Sequence, residues 1–277
     1  MTRPPESTRG IVRSITSLQN DRIKAIRALE MRKARRESGQ FIAEGTSVLV
    51  TARDAGWMPA MLVFLAGSLR EGIGRDLLNW AERAGAECLE VSGAVLAKVA
   101  AKDNPQSVLA VFDQRWAAAP EAQAIASEAV WIALEEIRDP GNLGTIIRTA
   151  DAVGVDGVML VGNSADPYSR EAVRASMGSI FNVPVARAQA TEFLSWAADW
   201  PGEVVGTHLK ATDDFRKPYR PPGLLVMGSE GPGLSPQAAE ACTRLVKIPM
   251  AGRIDSLNIA VAAALVLYEM RKPRLVL

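Results

Sequence analysis

The sequence predicts an α/β protein whose carboxyl-terminal half is built on a mainly parallel sheet. Short apolar runs alternate with amphipathic stretches of helical period along nearly the whole chain, and glycines end several of these stretches. The composition agrees with this, since 277 residues with 48% hydrophobic and 23% charged residues are typical of globular domains. We therefore expect one or two domains with packed cores.

The first part of the chain, residues 1–112, is predicted as a small α/β domain. Apolar residues spaced among charges predict a helix over 14–37. Strands are then predicted at 41–43, 60–65, 87–90 and 107–112, and helices at 46–54, 75–83 and 92–100. Residues 113–129 are rich in alanine and show no strong pattern, so we interpret them as a linker.

A second α/β domain is predicted over residues 130–277. Strands are predicted at 131–134, 157–161, 203–207, 224–227 and 244–248, and helices at 143–153, 169–177, 191–199 and 257–271. The helix at 143–153 has an apolar stripe, and Gly154 is placed to end it. The last helix is apolar nearly all round, so we expect it to be buried on several sides, in part against a partner chain.

Charge is distributed unevenly along a chain whose net charge is only +1. Residues 1–40 hold ten Lys or Arg and four acidic residues, a surplus of six positive charges. Such an arm suits phosphate binding, and a solvated helix face explains it equally well. Two cysteines and one histidine, His208, argue against a disulfide framework and a multi-histidine metal site, and we expect no metal.

Membrane insertion and secretion are not expected from this sequence. The longest apolar run, Ile259–Tyr268, is about half of what a bilayer span needs. The amino terminus lacks the apolar segment of a signal peptide, so the prediction is a reduced, cytoplasmic protein.

Three loops of the second domain have unusual sequences: 139–144 (DPGNLG), 228–235 (GSEGPGLS) and 248–258 (IPMAGRIDSLN). Each follows a predicted strand, and ligands of open α/β sheets lie beyond the carboxyl ends of the strands. Glycines there let the main chain approach a ligand closely. The chain contains neither GxGxxG nor GxxxxGK[ST], which argues against a dinucleotide-binding enzyme and a P-loop nucleotidase.

Together the loops resemble the three motifs of the SpoU (TrmH-type) family of SPOUT RNA methyltransferases. The motifs match DPGNLGTIIRTADAVG at 139–154, LVMGSEGPGLS at 225–235 and IPMAGRIDSLNIAVA at 248–262, in order and at similar spacing. The front half is similar to the family's substrate-binding domain, which resembles a small RNA-binding ribosomal protein. Its markers are FIAEG at 41–45 with Val48, and NPQ at 104–106.

The resemblance implies a deep trefoil knot near the carboxyl end, a homodimer, and S-adenosylmethionine as methyl donor. It implies methylation of a ribose 2′-hydroxyl in RNA, most simply ribosomal RNA. The catalytic set that it implies is Asn142, Arg148, Glu230, Ser256 and Asn258. Gly228, Ile248 and Leu257 are implied to hold the cofactor, largely through main-chain groups.

Each implied role competes with a structural one. Arg148 lies on the polar flank of its helix, where it can hold a phosphate and so place the adjacent ribose. Asn142 is also a good helix N-cap. His208 is the one histidine in the sequence, and we interpret it as structural rather than catalytic. Three alternatives remain open at this point: a transfer-RNA methyltransferase, a catalytically silent RNA-binding member of the fold, and an α/β enzyme acting on another small molecule.

Overall fold

Residues 12–100 and 106–276 are described by a computed structural model of the protein. They divide into two compact units. The first contains the described residues up to Gln114 together with Tyr168–Phe181, and the second contains Arg115–Pro167 and the residues from Asn182 onwards. Asn104 and Pro105, and Arg3 and Arg9 of the basic arm, lie outside the described residues.

The first unit is built on a mixed five-stranded sheet. Its strands are β1 (Val12–Ile15), β2 (Gln40–Glu44), β3 (Met61–Leu65), β4 (Glu87–Val91) and β5 (Val108–Asp113), in the order β1-β4-β3-β5-β2. Its first five helices are α1 (Asp21–Ala28), α2 (Arg32–Ser38), α3 (Thr46–Asp54), α4 (Gly72–Arg83) and α5 (Gly93–Ala100). Strand β5 pairs antiparallel with β2 and β3, whereas β4 pairs parallel with β1 and β3.

The single helix predicted over 14–37 is wrong, because that stretch forms β1, α1 and α2. Strand β1 gains its hydrogen bonds by pairing with β4, a long-range contact that helical spacing does not reveal. Asn20 then starts α1 by accepting a hydrogen bond from the main-chain N–H of Arg22 at 2.9 Å. A short turn separates α1 from α2, and Gly39 ends α2 in the left-handed conformation.

A segment from the second half of the chain completes the first unit. Helix α7 (Arg170–Ser176) lies within this segment and packs against β2. Arg170 bonds to Glu30 and Arg174 bonds to Glu44, each at 2.8 Å, and Trp57 donates to the main-chain oxygen of Phe181 at 2.9 Å. The sequence-based boundaries place the segment in 130–277, whereas its buried ion pairs and aromatic contacts are made with the front part of the chain.

The second unit is built on a seven-stranded sheet whose paired strands are all parallel among the described residues. Its strands are β6 (Val130–Glu135), β7 (Gly157–Val161), β8 (Val185–Ala188), β9 (Glu203–Thr207), β10 (Asp213–Asp214), β11 (Gly223–Met227) and β12 (Arg244–Lys247). The order is β10-β12-β9-β11-β6-β7-β8. The predicted α/β class with a mainly parallel sheet is confirmed, although β8 and β10 are too short for the sequence pattern to show.

Four helices belong to the second unit: α6 (Pro140–Val153), α8 (Ala190–Ala198), α9 (Pro236–Ala241) and α10 (Ile259–Arg271). Helix α6 buries the predicted apolar stripe and ends at Gly154, whose φ of 68° is left-handed. The N-cap of α6 is Asp139 rather than Asn142, because the Asp139 carboxylate accepts the main-chain N–H of Asn142 at 2.6 Å. Asn142 therefore lies inside the first turn, and its side chain is available for other contacts.

Helix α10 packs on α6 and β11, as its apolar sequence predicts. One side of it stays exposed, however, and carries Val261, Leu265 and Tyr268, which are 50%, 38% and 51% exposed. In the described part of the chain, every helix falls short of the length and apolar character that crossing a bilayer requires.

Candidate functional site

One side chain from each of the three motif loops meets the others at the carboxyl ends of β6, β11 and β12. The Asn142 amide donates to one Glu230 carboxylate oxygen at 3.2 Å. The Asn258 amide donates to the Asn142 oxygen at 2.9 Å. The main-chain N–H of Arg138, in the loop before α6, donates to the second Glu230 oxygen at 3.1 Å. The structure thus brings together three of the five implied catalytic residues.

These hydrogen bonds fix the orientation of both amides. The Asn258 oxygen accepts the main-chain N–H groups of Ala260 and Val261 and so caps α10. Its NH₂ group must then face Asn142, whose own NH₂ group is turned towards Glu230. Since donors and acceptors follow one direction from α10 to the glycine loop, the loss of one member leaves a neighbour without its partner.

The Glu230 carboxyl is held in its ionised form. Partial burial by itself raises the pKa of this carboxyl, but hydrogen bonds from its own main-chain N–H, from Arg138 and from Asn142 outweigh the burial and hold the pKa below its ordinary value. A carboxylate with a lowered pKa and both oxygens already engaged is a weak proton acceptor. Glu230 is therefore suited to anchoring the two amides rather than to removing a proton.

A cavity of about 830 Å³ lies beside this network. Its lining includes all three residues implied to hold the cofactor, Gly228, Ile248 and Leu257, together with Ser256 and Asn258. The volume is within the range of sites that enclose small organic ligands. The Ser256 hydroxyl bonds to the neighbouring Asp255 carboxylate at 3.2 Å, so it is placed at the cavity but outside the amide network.

The glycine loop is closed by its own main chain. Ser229 and Gly233 exchange two main-chain hydrogen bonds, of 3.1 and 3.0 Å. A Cβ atom on Gly228 would lie 1.9 Å from the carbonyl carbon of Gly233, which is an impossible contact. Gly228 is therefore required for the loop to close on itself, a role that the sequence analysis did not give it.

Glu135 is a site residue that the sequence interpretation missed. It ends β6, and its carboxylate accepts the hydroxyl of Ser235 at 2.6 Å and the main-chain N–H of the same residue at 2.8 Å. Ser235 also caps α9. Glu135 thereby ties the end of the glycine loop to β6, the strand next to β11 in the sheet. Its position directly after a buried apolar strand is the signal that could have indicated it.

The cavity fits S-adenosylmethionine in the way that the resemblance implies. Within the described residues, no hydrogen bond uses the main-chain groups of Gly228, Ile248 or Leu257, so their N–H and C=O groups are available at the cavity wall. Main-chain donors and acceptors beside apolar side chains are a suitable lining for an adenine ring. They are the three residues that the resemblance implies for the cofactor, and all three lie at the cavity wall.

Arg148 is not part of the amide network and does not line the cavity. Its side chain is exposed on α6, off the buried stripe, as predicted. Its guanidinium makes no hydrogen bond or ion pair with any other residue that the structure describes. An arginine with all five donors unused can take a phosphate bidentately.

Family comparison agrees with this arrangement. The sequence profile of the SpoU rRNA methylase family matches residues 129–268, which is half of the chain and contains all three motif loops. The chain belongs to the SpoU rRNA methylase family. A second profile, that of an MRM3-like substrate-binding domain, matches residues 20–110, in the part where the sequence indicates a substrate-binding domain.

Several known proteins are similar to this chain over nearly its whole length. The structure of an AdoMet-bound rRNA methyltransferase from Sinorhizobium meliloti is 40% identical, with a TM-score of 0.88 over 96% of this chain and 99% of that one. The 23S rRNA (uridine(2479)-2′-O)-methyltransferase of Streptomyces viridochromogenes is 32% identical over 95% of this chain and 93% of its own length. The 23S rRNA (guanosine(2553)-2′-O)-methyltransferase of Bacillus subtilis is 29% identical over 94% and 100%.

Proposed function

We propose that this protein transfers a methyl group from S-adenosylmethionine to a ribose 2′-hydroxyl of ribosomal RNA. The observation that carries the proposal is the meeting of Asn142, Glu230 and Asn258 beside the 830 Å³ cavity. The three residues come from three separate motif loops, and the cavity contains the implied cofactor-binding residues. Both named 23S rRNA relatives are 2′-O-methyltransferases and align with nearly the whole chain.

In this proposal the hydrogen-bond network of Asn142, Glu230 and Asn258 holds the wall of the cavity, and Arg148 binds the RNA substrate. S-adenosylmethionine supplies an electrophilic methyl group on a sulfonium when it is bound. Glu230 fixes Asn142, and Asn142 fixes Asn258 at the start of α10, so the loops on either side of the cavity keep a constant separation. Ser256, one loop residue before Leu257, presents a hydroxyl at the same wall. Arg148 binds a backbone phosphate of the RNA and so orients the adjacent ribose.

The two predicted domains are assigned different roles. We assign substrate binding to the front domain, residues 1–112, and methyl transfer to 130–277, with 113–129 between them. The segment 168–181 is the exception, since it packs within the first unit. With a ribosomal RNA substrate, we propose that the protein acts in the cytoplasm.

We further propose a homodimer formed through α10. Val261, Leu265 and Tyr268 make an exposed apolar face, and together with Thr145 and Thr149 of α6 they line a second, shallow cavity. An exposed apolar helix face supports an interface with a second copy of the chain. Arg148 is next to Thr149 in the chain, so the partner copy would lie close to the arginine. Sedimentation of the purified protein as a monomer at micromolar concentration would contradict the dimer.

The sheet order supports the knot. Strand β9 lies between β12 and β11 in the sheet. After β12 the chain therefore crosses β9 again before α10 packs on β11 and α6. Such a return across the carboxyl ends of the strands is the path that a carboxyl-terminal trefoil knot requires.

The test is to compare 2′-O-methyl sites in total RNA from a deletion strain and its parent. We expect one ribosomal site to lose its methyl group and to regain it with the wild-type gene but not with Arg148→Ala. Because Arg148 is exposed and makes no hydrogen bond or ion pair within the described part of the chain, its replacement should change stability by less than about 0.5 kcal/mol. Thermal melting checks this.

Other results would redirect the assignment. Loss of a transfer-RNA methyl group instead would identify a transfer-RNA methyltransferase. No lost site, with S-adenosylmethionine binding absent by calorimetry, would indicate the silent RNA-binding member or an enzyme of another class. Full activity of Arg148→Ala would show that the arginine is not catalytic.

A further inference from the structure

The only histidine of the chain lies at the wall of the large cavity. His208 follows β9 directly, at the carboxyl end of the sheet, and the turn 207–210 forms one side of the cavity. The sequence interpretation favours a structural role for this residue. The motif resemblance does not include it, because it lies between the first and the second motif.

Three hydrogen bonds hold His208 in place. Its main-chain N–H donates to the oxygen of Val246 at 3.0 Å, which joins β9 to β12. Its main-chain oxygen accepts the N–H of Ala211 at 3.0 Å. Its ring nitrogen Nδ1 accepts the main-chain N–H of Lys210 at 3.1 Å. The backbone and one edge of the ring are therefore both fixed by the turn.

The bond to Lys210 also decides which ring nitrogen carries the proton. A nitrogen that accepts a main-chain N–H must present its lone pair, so Nδ1 of His208 is unprotonated. The neutral ring then carries its hydrogen on Nε2, on the opposite edge. No hydrogen bond from Nε2 to any described residue is formed. The turn thus leaves one N–H donor without a partner in a residue that lines the cavity.

We propose that His208 donates this Nε2–H to an oxygen atom of the methyl donor. The inference rests on the proposed function, because it takes the cavity to be the S-adenosylmethionine site. The ligand offers two kinds of acceptor oxygen, the ribose hydroxyls and the carboxylate of its amino-acid part. His208 is in this view a binding residue for the cofactor, and Lys210 positions it through Nδ1.

Two substitutions separate the turn from the ligand contact. Asn places its side-chain oxygen where Nδ1 lies, so His208→Asn keeps the acceptor for Lys210 and removes the donor that faces away from the turn. Gln reaches further and places its NH₂ group near the position of Nε2, so His208→Gln keeps the donor and removes the acceptor for Lys210. If His208 is purely structural, the fold should tolerate His208→Asn better than His208→Gln. If His208 contacts the ligand, His208→Gln should bind the ligand more tightly than His208→Asn.

The experiment is calorimetric titration of the full chain and both variants with S-adenosylhomocysteine, with thermal melting as the control for folding. We expect His208→Asn to melt like the wild type and to bind more weakly, by about three- to tenfold if a neutral ribose hydroxyl is the partner and by more than about tenfold if the ionised carboxylate is the partner. His208→Gln should keep the wild-type affinity to within about twofold.

A titration with 5′-methylthioadenosine, which lacks the amino-acid part, distinguishes the two acceptors. If the carboxylate is the partner, His208→Asn and the wild type bind this ligand equally, and if a ribose hydroxyl is the partner, the deficit of His208→Asn persists. Wild-type affinity of His208→Asn for S-adenosylhomocysteine would overturn the inference and leave the proposed function standing. Failure of the wild type to bind S-adenosylhomocysteine would overturn both.

Discussion

The exposed cations of α1 and α2 are expected to contribute to RNA binding through charge. Arg32, Lys33, Arg35 and Arg36 lie close together in the basic arm, which the sequence allows either as a phosphate-binding group or as a solvated helix face, and the structure divides this group. Arg35 is only 4% exposed and donates to the main-chain oxygens of Leu29 and Glu30, both at 2.8 Å. It therefore fastens α2 to the end of α1, and it should be left intact in a test of RNA binding.

The perturbation is the simultaneous replacement of four exposed cations by Ala, with Arg35 kept. The four are Arg27, Arg32, Lys33 and Arg36. Lys33 pairs with Glu37 at 3.9 Å, and such an exposed pair contributes little. Each phosphate contact contributes roughly −0.7 to −0.9 to the slope of log K against log salt. Three or four contacts then correspond to a loss of affinity of about 20- to 150-fold between 0.05 and 0.2 M salt.

The assay is filter binding of protein-free large-subunit ribosomal RNA at four KCl concentrations. The quadruple variant should give a flatter line than the wild type, with an unchanged affinity for S-adenosylhomocysteine. The matched control is Arg35→Met, which leaves two carbonyls without their donor. It should lower the free energy of unfolding by about 1–3 kcal/mol and keep the wild-type slope. If the plots of log K against log salt have the same slope for the wild type and the quadruple variant, the reasoning is refuted. The four cations then only solvate a helix face.

Two further predictions concern the glycine loop. Gly228→Ala should force the Ser229–Gly233 pair apart, since its Cβ would meet the Gly233 carbonyl carbon at 1.9 Å. Calorimetry should then show S-adenosylhomocysteine binding about tenfold more weakly, or by roughly 1.4 kcal/mol. An unchanged affinity would remove this loop from the cofactor site. Because the folded-state pKa of Glu230 is lowered, its ionised form adds stability above pH of about 4.3 that is lost as the pH falls through the folded pKa. Urea unfolding of Glu230→Gln should accordingly depend less on pH between about 5 and 3 than that of the wild type, and identical pH profiles would contradict the lowered pKa.

The sequence by itself determined the features that depend on neighbouring residues. The apolar stripe of α6 and its end at Gly154 follow from helical spacing and from a residue that tolerates left-handed φ, and both are found. The placement of three motif loops at one edge of the sheet could also be predicted, since the carboxyl ends of parallel strands meet there. Such signals are local, so the sequence contains them directly.

Only the tertiary structure decided which polar groups meet. Asn142 lies 88 residues from Glu230 and 116 from Asn258, so no spacing rule relates them, and the amide directions follow only once all three are in contact. The same holds for adjacent residues of one charge run, where Arg35 is buried against two carbonyl oxygens and Arg36 is exposed. Burial depends on what packs against a side chain, and that partner is supplied by the fold rather than by the neighbouring sequence.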